Sequence, residues 1–437
     1  MLAADQRVTA IDSKSKQPLK ICLLGYRSNP YSGGQGIYIK YLSKALVDKG
    51  NQVDVISGEP YPELDDRVSL IKLPGLNLFE AENHVTALRP KHLLSYADFF
   101  EWLSMLTGGF AEPYSFGRRL VAYFKKVQPD YDIVHDNQSL SFGTLKLQQM
   151  GVPMLTTIHH PITSDLRIAL ANEKSWPMRV LIRRWHSFLR MQKKVVKQLN
   201  HLVTVSEASR KDIARDFKVL ESEINIVTNG IDTNVFKPIS SIIREPCTIM
   251  VTASADVPLK GLDYLLHSVA DLKDEFPAMK LIVLGTVKEH GHTAKLINQL
   301  GIKELISFHS GLSPKQIAEL YACATCAVVP SVYEGFGLPA GEAMACGVPI
   351  ITTNGGALPE VVGNSGLIVP TRNHVAINNA LRCMLSDADL REELGARGID
   401  RIHKHFSWPV AANQMIALYR SIIQENTLGA VNVAANH

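Results

Sequence analysis

The chain has little net charge and few cysteines, and each scarcity narrows what it does. Its 437 residues set 46 Lys and Arg against 42 Asp and Glu, a formal net charge of +4. So small an excess excludes a chain that coats nucleic acid through bulk charge, and any basic site is local. No stretch of eighteen or more uninterrupted apolar residues occurs, which excludes a helix of membrane-spanning length. The cysteines, Cys22, Cys247, Cys323, Cys326, Cys346 and Cys383, are scattered. Cys323 and Cys326 form a CxxC, but no second pair completes four ligands and an apolar run follows. Core packing is therefore the reading ahead of zinc or redox chemistry. With no secretory leader ahead of them, a reduced, cytoplasmic setting is expected.

What is present is a repeating unit. From Lys20 onward a short, apolar, β-branched run is followed by a turn and a longer segment with helical spacing. That is the pattern of parallel strands joined by helical crossovers. KICLLGY, QVDVIS, VSLIKLP, YDIVHD, PMLTTIHH, HLVTVSE and INIVTNG form a first series; CTIMVTAS, MKLIVLG, LISFHSG, CAVVPSV, PIITTN and GLIVP form a second. The runs are apolar nearly throughout, as in strands covered on both faces. The expected fold is α/β, with two doubly wound, Rossmann-like domains facing a cleft. Their boundary is expected in FKPISSIIREP, residues 236–246, where Pro, Ser and charge interrupt the rhythm. Functional residues are expected just beyond the carboxyl ends of the strands. Residues 1–19 and 426–437 lack pattern and are expected to be loose. Residues 75–118 fit no strand-helix unit and hold Phe99, Phe100, Trp102, Leu103, Met105, Leu106 and Phe110. An inserted helix and loop accounts for them, either packing on itself or offering an acceptor surface.

Four constellations fall at strand ends. After the first strand, Gly33, Gly34 and Gly36 free the backbone to approach an anion ahead of a helix. This loop is neither G-x-G-x-x-G nor a P-loop, and a plain tight turn explains it as well. His159 and His160 close MLTTIHH, where an imidazole can donate to substrate or shuttle a proton near neutral pH. No cluster of ligands at fixed spacing accompanies them, so no metal site is expected. His135 and Asp136 end the preceding strand and are candidates on position alone. Lys260 and Gly261 open a helix, where lysine adds to the anion-attracting field. In SVYEGFGLPAGEAMACGVPI, Glu334 lies on a loop and Glu342 in the first turn of a helix starting near Pro339 and stopping at Gly347. With the amides of Phe336, Gly337 and Leu338 between them, the two carboxylates suit the hydroxyls of a sugar nucleotide, whose diphosphate would take the amides and Lys260. The plainer alternative is that Glu342 complements the helix dipole and Glu334 caps the loop.

The segment from Lys260 to Pro370 resembles the retaining glycosyltransferases of family four, of GT-B fold. EGFGLPAGE is similar to their E-x7-E motif, EAMACGVPIITTNGGALPEVVG to its continuation, SEASRKDI and NGIDTNVFKP to their interdomain segments, and NPYSGGQG to their first glycine loop. The resemblance covers most of Lys20 to Tyr419. It implies that residues 20–238 form an acceptor-side domain and 239–407 a nucleotide-sugar donor domain, with helix 408–425 crossing back to the first. It also implies that Glu342 holds the donor ribose, Glu334 the transferred sugar and Lys260 the diphosphate, aided by Phe336, Gly337 and Leu338. Gly34, with Gly36 beside it, would lie under the diphosphate, and His159 would touch the sugar near the reacting carbon. His159, Glu334 and Lys260 are the catalytic candidates. One departure stands out: the family commonly has Gly-Arg five or six residues before the lysine, and this chain has Ser254 and Ala255. That leaves Lys260 and the loop amides more of the leaving group's charge, or implies weaker catalysis.

Between Glu173 and Glu207 there is no acid, while Arg179, Arg183, Arg190, Lys194 and Lys197 recur on one helical face and Leu181, Trp185, Phe188, Val195 and Leu199 on the other. An ordinary outer helix, or one lying on an anionic membrane at its cytoplasmic side, fits this pattern.

The expected activity is retaining, metal-independent hexosyl transfer. It needs no cofactor and runs from a nucleotide-sugar to an acceptor hydroxyl, on a sugar or lipid-linked cell-envelope glycan. Alternatives are a sugar-nucleotide-binding protein with reduced catalysis, an epimerase or phosphorylase of the same fold, and a nicotinamide oxidoreductase. Base, sugar, acceptor, linkage and oligomeric state are not legible at this level.

Overall fold

The computed structural model describes residues 17–30, 34–78, 90–253 and 255–435. Gly33, Ser254 and most of the expected loose segment 1–19 lie outside the described residues. Leu19 is already buried, and its amide donates to Asn51 Oδ1 at 3.0 Å, so packed chain begins before Lys20.

Every expected run forms a strand. In the first sheet these are β1 Lys20–Gly25, β2 Gln52–Ser57, β3 Ser69–Lys72, β4 Ile133–Asn137, β5 Met154–Thr157, β6 Leu202–Thr204 and β7 Ile224–Ile226. Its order is β3-β2-β1-β4-β5-β6-β7, and every pairing is parallel. The second sheet holds β8 Thr248–Thr252, β9 Lys280–Leu284, β10 Ile306–His309, β11 Cys326–Val329, β12 Ile350–Thr353 and β13 Leu367–Val369. It is likewise parallel, in the order β10-β9-β8-β11-β12-β13. In each sheet the winding reverses once, between β1 and β4 and between β8 and β11. At such a switch point the two crossovers leave in opposite directions and open a crevice beyond the strand ends.

Central strands are buried along their whole length, as β4, β5, β11 and β12 show, whereas the edge strand β3 is half-exposed. This is why the apolar runs lack period-two alternation. In the second sheet's core, Leu262, Leu265, Leu266, Val269 and Leu272 of the helix Leu262–Leu272 turn one stripe onto Val251, Val283 and Val328. Each such side chain contributes roughly 1.5–3 kcal/mol through burial.

The chain divides into two compact units. Met1–Val205, Arg210–Val227 and Ala411–His437 make the first; Ser206–Ser209 and Thr228–Val410 make the second. Residues 228–238 thus belong to the second unit, not to the first domain as the sequence reading has it. Two contacts hold them there: Ile231 N donates to Phe406 O at 2.6 Å, and Phe236 packs edge-on against Tyr321. The last helix, Trp408–Ala435, runs past the expected end at 425. Neither Asn426 nor Thr427 stops it, because their side chains bond back to Ile422 O and Ile423 O within the helix.

Residues 75–118 contain a 3-10 turn, Pro90–Leu94, the helix Tyr96–Leu106, and the first part of a second helix, Glu112–Val127, that leads into β4. Arg119 ties the two helices together, pairing with Asp98 and, at 2.7 Å, with Glu101. The basic segment is two helices, Trp176–Trp185 and Leu189–Val196, around a 3-10 turn at His186–Phe188. Here His186 Nδ1 bonds Ile182 O at 2.8 Å and competes for a helical carbonyl. The apolar face expected to include Leu181 is fully buried only in the second of these helices, although Trp185 at the end of the first stacks on Phe110 at 5.1 Å. Leu189 and Val195 are buried, while Trp176, Met178, Val180 and Leu181 are exposed.

Candidate functional site

In the second unit the site grows from the ends of β8 and β11, which flank the switch point. After β8 the chain makes a 3-10 turn, Pro258–Lys260, and then passes through Gly261 in the left-handed region, φ 64°, into the helix Leu262–Leu272. Only glycine fits there, because a Cβ would overlap Pro330 O. After β11 the loop carrying Glu334 leads through Gly337, φ 99°, into the helix Leu338–Ala345. Glu342 is the fifth residue of that helix and sits in its second turn, not the first. Gly337 caps without a side-chain bond; Pro339 carries no N–H and Ala340 N donates to Gly337 O at 3.1 Å, so Leu338 N is the first-turn amide left toward an anion. Phe336 is buried and meets Phe406 edge-on, fixing the loop's path.

Lys260 Nζ donates to Glu334 Oε1 at 2.7 Å, and Ser331 Oγ donates to the same oxygen at 2.7 Å. Both contacts fall on Oε1, which leaves Oε2 for a ligand. The loop backbone is pinned on three sides. Ala357 N donates to Glu334 O at 2.9 Å, and the hydroxyls of Ser206 and Ser209 donate to Gly335 O at 2.7 and 3.1 Å. Val332 N donates to Leu259 O at 2.8 Å, joining the loop to the lysine turn. Glu360 accepts the amides of Glu207 and Ala208 at 2.8 and 2.7 Å, capping the helix that starts there. Burial pushes the Glu342 carboxyl up to about 7. Tyr321, whose hydroxyl donates to Pro339 O at 3.2 Å, is held well above its usual range by burial and by the neighbouring Glu342.

Ala255 is buried in the core of this unit. The following Asp256, φ 62°, binds Thr293: its amide donates to Thr293 Oγ1 at 3.0 Å and its Oδ1 accepts Thr293 N at 2.8 Å.

In the first unit the switch point brings together the helix Gly34–Asp48 after β1, Asn137 at the end of β4 with Gln138 after it, and His159 after β5. Gly34 is exposed with open space around it, whereas Gly36 packs so tightly that a Cβ would overlap Asn29 O. His159 Nε2 lies 2.7 Å from Asn137 Oδ1, and its ring meets Tyr38 edge-on at 4.6 Å. Burial pushes the imidazole down to about 3. At neutral pH it is therefore uncharged. His160 turns to Asp165 at 3.4 Å. His135 is buried between Tyr419 and Thr157, 2.6 Å from each, and burial lowers it to about 3. Asp136 accepts the amides of Ser139 and Leu140. His135 and Asp136 are framework.

Ser331, Ser206, Ser209, Glu360, Asn137 and Gln138 went unnoticed in the sequence. Ser331 stands three residues before Glu334, the S-x-x-E spacing that brings a hydroxyl to a carboxylate, and Asn137 and Gln138 lie in a polar run at the end of a buried strand. Among the described residues no group of three or more His, Cys, Asp and Glu is placed to hold a metal ion. Among them, too, no helix is long and apolar enough to cross a membrane. Cys326 is buried in β11, its thiol pushed up to about 12 by burial.

Residues 32–235 match the model for Glycosyltransferase Family 4, and residues 237–401 that for Glycosyl transferases group 1. An MMP α-(1→4)-mannosyltransferase of Mycolicibacterium hassiacum is 42% identical over 93% of this chain and 98% of its own length. Sucrose-phosphate synthase of Thermosynechococcus elongatus shares the fold, with TM-score 0.69 and 23% identity over 93% of this chain and all of that one. So does Anabaena HepE, solved in complex with UDP, with TM-score 0.68 and 15% identity over 92% of this chain and all of that one. The chain therefore belongs to the family-four, group 1 glycosyltransferases of GT-B fold.

Proposed function

We propose that this glycosyltransferase moves a hexose from a nucleoside-diphosphate sugar to an acceptor hydroxyl with retention of configuration, without a metal or other cofactor. The observation that carries the reading is the Lys260–Glu334 pair at the switch point of the second sheet, with the second carboxylate oxygen uncommitted on the loop that leads into the helix Leu338–Ala345. Lys260, Gly337 and Leu338 meet the diphosphate; Glu334 Oε2 accepts from a sugar hydroxyl, and Glu342 accepts from the ribose. In the first unit Gly34, Gly36 and His159 are the residues proposed to serve the reaction, His159 as acceptor of a sugar hydroxyl's hydrogen bond. The acceptor oxygen bonds to the anomeric carbon as the sugar–phosphate bond breaks. Its proton passes to the departing diphosphate on the same face. The relative's name makes mannose the first sugar to try and a mannoside the first acceptor.

A second reading concerns the reaction's location. Trp176, 74% exposed, stands with Met178, Val180 and Leu181 on the same helix as the exposed Arg183. That mixture suits the anionic inner face of a membrane and a lipid-linked acceptor.

The test is to offer GDP-mannose, UDP-glucose and ADP-glucose with methyl α-mannoside, with and without EDTA, and to read released nucleoside diphosphate and the anomeric configuration of the product. An α-linked product, unaffected by EDTA, is expected. Tight donor binding with no turnover favours the binding-protein alternative, and interconversion of two sugar nucleotides an epimerase.

A further inference from the structure

We propose that Asn137 is the positioning residue of His159: its carboxamide selects the imidazole's tautomer and ties the ring to the start of the glycine-loop helix. The proposal rests on His159 serving sugar transfer. Asn137 Nδ2 donates to Gln35 O at 3.1 Å. A carbonyl oxygen only accepts, so this bond fixes which end of the amide faces which neighbour. Oδ1 therefore faces His159 Nε2, 2.7 Å away, and since Oδ1 also only accepts, Nε2 must carry the proton. The uncharged ring then keeps its lone pair on Nδ1, and His159 acts as an acceptor toward a hydroxyl, never as a donor from that atom.

The surroundings brace this arrangement. Gln138 sits in the left-handed region, φ 57°, which non-glycine residues avoid. In that conformation its Oε1 accepts His159 N at 2.7 Å and its Nε2 donates to His160 O at 2.9 Å, clamping the peptide on both sides. Strain of this kind persists where the surrounding contacts over-determine it. Asn137, Gln138 and His159 thus form one braced unit with Gln35 in the first turn of the helix Gly34–Asp48. The titratable groups around the ring are Tyr38 from that helix, His135 from β4 and the adjacent His160.

Full-length Asn137→Ala, Asn137→Asp and His159→Ala would be compared with wild type for nucleoside diphosphate release from GDP-mannose or UDP-glucose, whichever wild type turns over. Two-bond proton–nitrogen NMR of histidine-labelled protein would report the tautomer. Wild type is expected to show Nε2–H at His159 and, with all turnover read at saturating donor, a kcat flat from about pH 6 to 8. Asn137→Ala should mix the tautomers and lower kcat roughly tenfold or more, leaving affinity for the nucleoside diphosphate within about twofold. Asn137→Asp is isosteric, which separates loss of the amide from loss of the fold. Its carboxylate favours the imidazolium, so turnover should fall as pH drops through the raised imidazole pKa, a dependence wild type lacks. Full turnover in His159→Ala would overturn the underlying reading. Loss in His159→Ala, combined with wild-type tautomer and kcat in Asn137→Ala, would overturn the role given to Asn137.

Discussion

Lys260 Nζ and Glu334 Oε1 lie 2.7 Å apart although 74 residues separate them in the chain. The pairing makes the lysine's position independent of a ligand. On the proposed function, Glu334 and the turn at Gly261 hold the cation toward the diphosphate, which limits the ordering that binding must supply. Lys260→Ala is therefore expected to lower kcat/KM by about 10²–10³, the usual cost of removing one donor to a developing negative charge. Both side chains are partly exposed, so the ion pair itself contributes under about 1 kcal/mol and the melting temperature should barely move. Steady-state kinetics and calorimetry on the same preparation check both halves.

Glu334→Ala and Glu334→Gln should separate two roles of one carboxylate. Alanine removes the sugar contact and the anchor of Lys260, and transfer is expected to fall below about 1% of wild type while the circular dichroism spectrum is kept. Glutamine can still accept at one oxygen from Ser331 or a hydroxyl, but loses the charge that holds the lysine. It should recover part of kcat and little of the donor affinity. Equal activity of wild type and Glu334→Ala would remove this residue from the reaction.

Glu342 gives a pH dependence with a definite sign. Burial raises its pKa in the folded protein to about 7, so it is mostly protonated below that pH. A ribose diol donates best to the ionised form, so donor affinity should strengthen as pH rises, approaching a tenfold gain between about pH 6 and pH 8 if only the carboxylate binds. The effect on folding runs the other way. With its folded pKa above the unfolded value of 4.5, Glu342 contributes stability at low pH that is lost as pH rises through about 7. Titration with an intact nucleotide sugar, whose diphosphate does not ionise in this window, reads the affinity; Glu342→Gln should be flat.

The strands were legible because parallel strands buried on both faces are apolar at nearly every position, and that signal is local. Strand order was not. Lys260 and Glu334 meet because β8 and β11 are neighbours, with Val251 opposite Val328, while three crossovers and two other strands intervene in the chain. The same limit hid Asn137 beside His159 across β4 and β5, and Ser206 beside Gly335. Side-chain competition misled the reading of the basic segment, since His186 ends a helix that charge periodicity alone would carry through. The pKa of His159 was also out of reach, because it depends on burial from every side.

The basic segment can be tested on vesicles. Replacing Arg183, Arg190 and Lys194 by Glu reverses three exposed charges, each worth about 1 kcal/mol at an anionic surface. Sedimentation with phosphatidylserine-containing vesicles should drop at least tenfold while transfer to a soluble acceptor stays unchanged. Equal sedimentation of variant and wild type, or none by either, would leave these helices as an outer layer of the sheet.

Gly356 links backbone conformation to Glu334 most directly. Its φ is 62°, in the region that side chains disfavour, and a Cβ there would overlap Glu334 O, the carbonyl to which Ala357 N donates at 2.9 Å. Alanine cannot be accommodated by moving a flexible tip, since the obstructing atom is backbone. Either the loop or the turn must shift, at an expected cost of about 1–3 kcal/mol. If the Glu334 loop yields, its side chain moves relative to Lys260, and a displacement near an ångström lowers transfer by about 10². Gly356→Ala should therefore lose activity out of proportion to stability: a protein still folded at assay temperature, with donor turnover close to that of Glu334→Ala. Unchanged turnover with a lowered melting temperature would mean that the turn, rather than the carboxylate loop, absorbs the strain.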